Sequence, residues 1–282
     1  MTHETVSFAS ILCMGIVALL SFAIPVVLCI RYRKRKKADL VPFFVGMAVM
    51  FVFALVLESL LHQLVLNVLP VGQTILNNIW LYALYGGLAA GVFEETGRFL
   101  AFKTVLKRYQ KRDVNALMYG AGHGGFEAAW LLGGTMISYI VMAVMLNLGL
   151  ESVLTKGATE ATLPQMEALF ETLKTATPAS YFIGLIERVI AVVLQIALSV
   201  LVWFAAKQRG KWGLYPLAIL LHALVDGILV VVAHYITSLW LVYAILIAET
   251  VPVVLIAVSV WKRSRTEEPA EQTEEPDADQ AV

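Results

Sequence analysis

Cysteine and charge are both scarce in these 282 residues. Only Cys13 and Cys29 are present, both in the first apolar run, so no pair is spaced for a zinc knuckle or an exposed disulfide. Charged residues make up 15% of the chain against 59% hydrophobic, which excludes a soluble domain. Long basic stretches are missing too. Every basic cluster is a short run beside an apolar segment, which excludes nucleic acid as a partner. No internal repeat of the inverted-transporter kind is visible. No serine or cysteine nucleophile has a matched base in its own neighbourhood: Ser138 and Ser199 lack one, and both cysteines lie far off in sequence.

What is present is apolar length. A spanning helix needs about 20 mainly apolar residues. Seven segments qualify, at about 8–30, 41–66, 76–102, 115–149, 180–206, 213–235 and 238–261. The first is longer than a signal-peptide core and is followed, not preceded, by its basic cluster, so it reads as a retained span. The fourth is long and carries Gly133-Gly134, where a tilt, kink or split is expected. The expected fold class is therefore all-α: a polytopic membrane protein of about seven transmembrane helices. Residues 1–265 read as one transmembrane domain and 266–282 as a disordered, acidic cytoplasmic tail. The loop 150–179 is the one long external loop, with a short amphipathic helix expected over Glu160 to Leu173.

Orientation follows from Lys and Arg. The clusters at Arg31–Lys37, Lys103–Arg112, Lys207–Lys211 and Lys262–Arg265 fall in alternate loops, and the opposite loops hold only Lys156 and Lys174. The positive-inside rule then predicts an outside amino terminus and a cytoplasmic carboxyl terminus.

Against this apolar background, polar groups inside the spans stand out, because each costs roughly 2.5–3.5 kcal/mol at a membrane helix centre. The third span holds Glu94, Glu95 and Arg98, the fourth His123 and Glu127, the sixth His222 and Asp226. Glu94/Arg98, His123/Glu127 and His222/Asp226 are i,i+4 pairs, each projecting from one helical face. Glu95 is turned about 100° from Glu94, so the two carboxylates take different roles. At 1.5 Å per residue, Glu94, His123 and His222 all fall roughly 12–15 Å from the cytoplasmic face, in one layer. Glycines flank two of these sites, which allows close helix approach or room for a substrate backbone. A second polar layer, nearer the outside, holds Glu58 and His62 in span two and Glu187 and Arg188 in span five. Gln195 and Ser199 continue the Glu187 face inward, and Glu249 lies near mid-membrane. Glu58/His62 reads as a structural or gating pair and Glu187/Arg188 as half of an ion-pair lock.

Carboxylates, imidazoles and a guanidinium are what activation of water needs. A carboxylate in a desolvated bundle becomes a better proton acceptor. A guanidinium holds a second carboxylate in place, and imidazoles orient water, stabilise an oxyanion or ligate zinc.

Phe93-Glu94-Glu95-Thr96-Gly97-Arg98, then Tyr119-Gly120-Ala121-Gly122-His123, then His222-Ala223-Leu224-Val225-Asp226 resemble the three motifs of the CAAX prenyl endopeptidase and bacteriocin-immunity (Abi) superfamily. Gly122-His123-Gly124-Gly125-Phe126-Glu127, Glu187-Arg188 and Gln195 resemble more closely its YhfC branch of bacterial intramembrane proteases. The resemblance runs from about Leu81 to Gly227. It implies that Glu94 or Glu95 activates water, with the first favoured, and that Arg98 positions the second. It also implies that His123 binds water or substrate, and that His222 with Asp226 stabilises the oxyanion. A conical intramembrane cavity opening toward the cytoplasmic leaflet is implied as well, with Glu187, Arg188 and Gln195 as a substrate or structural layer. Two departures stand out. One residue fewer separates the Glu pair from Arg98, and Asp226 stands where Asn is common. Both metal-dependent and metal-free mechanisms fit the resemblance. A metal, zinc being the candidate, would draw on His123, His222, Glu94 and Asp226. The expected activity is hydrolysis of a membrane-associated or lipidated peptide in the bacterial inner membrane, with that peptide and the lipid bilayer as partners. A proton-coupled transporter and a non-catalytic immunity or scaffold protein are the rival readings.

Overall fold

The computed structural model describes residues 5–265. The acidic tail expected at 266–282 lies outside them. Among the described residues there is helix and no strand.

Six helices are long and apolar enough to cross a membrane: α1 (Phe8–Lys36), α2 (Val41–Val68), α4 (Val114–Asn147), α5 (Pro178–Lys207), α6 (Arg209–Tyr235) and α7 (Leu239–Ser264). Between α2 and α4 runs α3 (Ile79–Lys103), of the same length class at 25 residues. It is set apart from the six by composition alone, because Glu94, Glu95 and Arg98 interrupt its apolar surface. The chain is thus a multi-pass membrane protein. The seven expected segments correspond to these seven helices one for one.

Local chemistry sets the ends. Ser7 caps α1 by accepting from Ser10 N–H at 3.0 Å, and the helix ends at Lys37 in the left-handed conformation, φ 53°. The Asn78 side chain accepts from Trp80 and Leu81 N–H, starting α3 at the mouth of a polar turn. The fourth segment does not split at Gly133-Gly134. It stays one helix and absorbs the irregularity as a wide π-type turn over Ala129–Gly134. The long loop 150–179 carries a helix at Leu163–Thr175, with Thr162 before it and Pro164 in its first turn.

α3 packs extensively on α6, and α4 packs along α1 and between α2 and α5. Glycine makes both contacts possible. A Cβ on Gly122 would lie 2.0 Å from Phe43 O, and one on Gly87 would lie 2.3 Å from Ala223 O. These helices touch backbone to backbone, as small residues allow in membranes. Of the two uses expected for the glycines, close packing is the one observed. Gly122→Ala is expected to lower stability by about 3 kcal/mol or more, because the backbone it meets cannot rotate away. Gly134→Ala, with nothing within 4 Å, should be neutral or slightly stabilising. Thermal unfolding of the two purified variants in detergent would separate them, and equal midpoints would refute this account.

The two ends differ. At one end the basic loops are tied together. Arg112 donates to Lys37 O at 2.8 Å, and Asp39 and Asn115 exchange hydrogen bonds at 2.9 Å. Lys207 Nζ and Trp203 Nε1 both donate to Asp113, at 2.6 and 2.9 Å, and Gln208 donates to Ser264 O at 2.9 Å. All four basic clusters therefore belong to one end of the bundle, as their alternate spacing predicts. Beneath them lies the densest packing, with Phe102, Leu106, Tyr119, Leu198, Leu201, Trp203 and Phe204 all fully buried. The far end is built from other contacts. The outer half of α4, Thr135–Asn147, packs on α1 and on Leu163–Thr175, while the end of α2 packs on the short helix Val71–Leu76.

Candidate functional site

Glu94 and Glu95 occupy adjacent positions on α3 and face different partners. Glu95 is completely buried. Both its oxygens accept from Arg98 Nη1, and Oε1 also lies 2.8 Å from His222 Nδ1 on α6. Arg98, also fully buried, donates its other terminal nitrogen to Gln195 Oε1 on α5. The Arg98 partner left open by the shortened spacing is thus Glu95 at i,i+3, the second of the pair, as the resemblance implies.

Glu94 is held differently. Its Oε2 lies 2.8 Å from His123 Nε2 and accepts from Gln195 Nε2 at 2.9 Å. His222 Nε2 stands 4.0 Å from the same oxygen. One carboxylate oxygen therefore sits between two imidazoles contributed by α4 and α6, as the depth estimate predicts for spans three, four and six. His222 Nε2 also lies 3.4 Å from Asp226 Oδ2, so that i,i+4 pair is realised.

His123 and Glu127 share a helical face, but Glu127 looks away from the histidine. Its Oε1 accepts from Arg188 Nη1 at 2.9 Å and its Oε2 from Gln195 Nε2 at 3.1 Å. Arg188 also pairs with its neighbour Glu187. The ion-pair lock expected for Glu187/Arg188 exists, and Glu127 completes it. Gln195 joins the two layers that the sequence separates. Its amide oxygen takes Arg98, and its NH2 reaches Glu94 and Glu127. On α2, His62 lies 3.2 Å from Glu58 and 2.9 Å from Tyr85 Oη. Tyr85 has no signal in the sequence, being one tyrosine of ten with no fixed offset to His62.

Exposure is graded along the site. Side chains are 0% exposed at His123 and Glu95 and 9% at Glu94, but 30% at Glu187, 34% at His62 and 38% at Asp226. On the basic side the site is stopped by aromatics. The Phe102 ring meets Tyr119 at 4.6 Å and Trp203 at 5.0 Å, and Phe99 stacks on Tyr215 at 4.5 Å. Side chains therefore do not become accessible on the basic side. Close packing of the large residues that follow Arg98 and precede His123 closes that side.

The family model described as YhfC intramembrane metalloprotease matches residues 20–251, most of the chain and every site residue described above. The chain belongs to the YhfC family. Within that family, the Bacillus subtilis (strain 168) protein named "Uncharacterized membrane protein YhfC" is 37% identical over 222 residues, covering 78% of this chain and 83% of the relative. No solved structure matches the chain.

The YhfC description names a metalloprotease, so the donors must be tested for fit. Among the described residues, no group of three or more His, Cys, Asp or Glu is set to hold a metal ion. In kind, however, the donors suit zinc. His123 Nε2, His222 Nε2 and Glu94 Oε2 converge, and Glu95 fixes the outer nitrogen of His222, as carboxylates do behind zinc-bound histidines. Two ligands of a tetrahedral zinc stand about 3.3 Å apart, and the observed separations of 2.8 and 4.0 Å bracket that value. The outer nitrogen of His123 is buried without a hydrogen-bond partner, so the two histidines are not equivalent.

Proposed function

We propose that this chain is an intramembrane endopeptidase that hydrolyses a peptide bond of a membrane-associated or lipidated peptide or protein. Glu94 supports this reading most strongly. It is a slightly accessible carboxylate between two imidazoles, backed by a second carboxylate that a guanidinium holds fixed.

In the proposed reaction Glu94 takes a proton from water, and the water oxygen attacks the scissile carbonyl carbon. His123 and His222 face the same space and stabilise the oxyanion. Glu94 returns the proton to the leaving amine as the C–N bond breaks. Glu95 and Arg98 keep His222 in one orientation, and Asp226 borders its other nitrogen. His123, His222 and Glu94, with Asp226 at the edge, are the residues that would hold a zinc ion. Such an ion supplies Lewis acidity and a lowered water pKa when bound. Glu127, Glu187 and Arg188 form a rigid rim, and Gln195 sets the distance from that rim to Glu94. The basic loops face the cytoplasm of a bacterial inner membrane, by the positive-inside rule, and the bilayer supplies the substrate.

New protein termini in native membranes supplied with the purified chain would test this reading. Mass spectrometry should find termini that appear with the wild type and are absent with Glu94→Gln. The same termini from both proteins, or none from the wild type, would refute it.

A further inference from the structure

We propose that the substrate enters the site from the end opposite the basic loops, the extracytoplasmic side. The cleaved segment is then one exposed at or beyond the outer leaflet. This rests on the peptidase reading and names its class of substrate. A lipidated carboxyl-terminal tail presented from the cytoplasm is excluded by it.

Two independent features carry the inference. The first is the closed floor. One helical turn from the site residues toward the basic end stand Phe102 after Arg98, Tyr119 before His123, Ala218 before His222 and Ser199 after Gln195. All four are 0% exposed. Trp203 and Phe204 lie beneath them, also at 0%, and Trp203 is fastened through its indole N–H to Asp113. A peptide approaching from the basic loops would have to displace the best-packed layer of the protein, which interiors resist.

The second is the direction in which polar groups continue. One turn the other way from His123 and His222 stand Glu127 and Asp226, and two turns from Gln195 stands Arg188, all partly accessible and on three different helices. Glu58 of α2 and Glu249 of α7 add acidic groups near Asp226. Groups of this kind in a membrane protein face the bundle interior or a water-filled cavity. The charged residues of the loop helix, Glu171 and Lys174, also bond away from the site, to each other and to Glu151.

Accessibility of single cysteines to a membrane-impermeant maleimide tests the entrance without needing activity or a known substrate. The background replaces Cys13 and Cys29 by alanine. Val230→Cys places a thiol on the Asp226 face one turn toward the far end. Ala191→Cys does the same outward of Gln195 on α5. Both positions are half-buried, and Lys107→Cys, in an exposed basic loop, reports the cytoplasmic side. In right-side-out vesicles positions 230 and 191 should be labelled and 107 spared. In inverted vesicles 107 should be labelled and labelling at 230 and 191 lost. Labelling of 230 and 191 from the same side as 107, or failure of both to label from either side, overturns the inference. Loss of hydrolysis with this labelling pattern intact would count against the peptidase reading alone.

Discussion

Glu94→Gln is expected to remove hydrolysis almost completely while leaving the fold unchanged. A positioned general base contributes about 10²–10⁴-fold, and the amide cannot accept the water proton. The substitution is nearly isosteric. The two groups facing Oε2, His123 Nε2 and Gln195 Nε2, can still find a side-chain oxygen there, since amides keep one acceptor. No buried charge is stranded, because Glu94 is not the partner of Arg98. The unfolding midpoint in detergent should therefore move by no more than about 1 kcal/mol equivalent, within the range of ordinary hydrogen-bond changes. Activity within a few-fold of wild type would rule Glu94 out as the base. Metal content measured on the same sample divides the role further. Retained zinc with lost hydrolysis points to a base alone, and loss of both points to a ligand.

Much of this site was legible before the structure because its information is local and periodic. Four positions set the pitch of a helix, so His222 and Asp226 could be placed on one face from their spacing. Alternating basic loops fixed the sense of each span, and counting at 1.5 Å per residue put Glu94, His123 and His222 at one depth. Azimuth is what such counting does not provide. The direction each helical face points depends on how neighbours pack, and here backbone contacts at Gly87 and Gly122 set it. The spacing of Glu94 and Arg98 therefore says nothing of which carboxylate the guanidinium meets. Arg98 bonds Glu95, as the resemblance implies, and Gln195 on another helix takes its second nitrogen. Glu127 likewise meets Arg188 of another helix. Gln195 reads from the sequence as one member of a substrate or structural layer with Glu187 and Arg188, because nothing local to α5 says that both sides of its amide will be used. The closed floor was hidden for a different reason. Phe102, Tyr119, Trp203 and Phe204 look like ordinary apolar residues of three separate stretches, and their density arises only when three helices bring them together.

Glu95 and Arg98 should behave as one unit in stability and as two in chemistry. Each is fully buried, and each is the main charge balance of the other. Arg98→Met leaves a buried carboxylate without its cation and Gln195 Oε1 without its donor. Glu95→Gln leaves a buried guanidinium and weakens the acceptor at His222 Nδ1. Breaking one side of a buried pair typically costs about 3–5 kcal/mol, and either single variant should lose stability on that scale. In Glu95→Gln/Arg98→Met neither charge remains to be stranded. Its loss should fall short of the sum of the single losses by about 2 kcal/mol or more, a coupling within the range for contacting residues. Unfolding of the four proteins in one detergent checks this, and additive losses would show that the pair does not act as a unit. Hydrolysis should not follow stability back. The double variant still lacks the carboxylate that holds His222 Nδ1, so its imidazole is free to turn away from Glu94. A double variant that recovers its fold and stays inactive would assign the pair to orienting His222. Recovery of both would mean that the pair serves the fold alone and that His222 is held by Asp226.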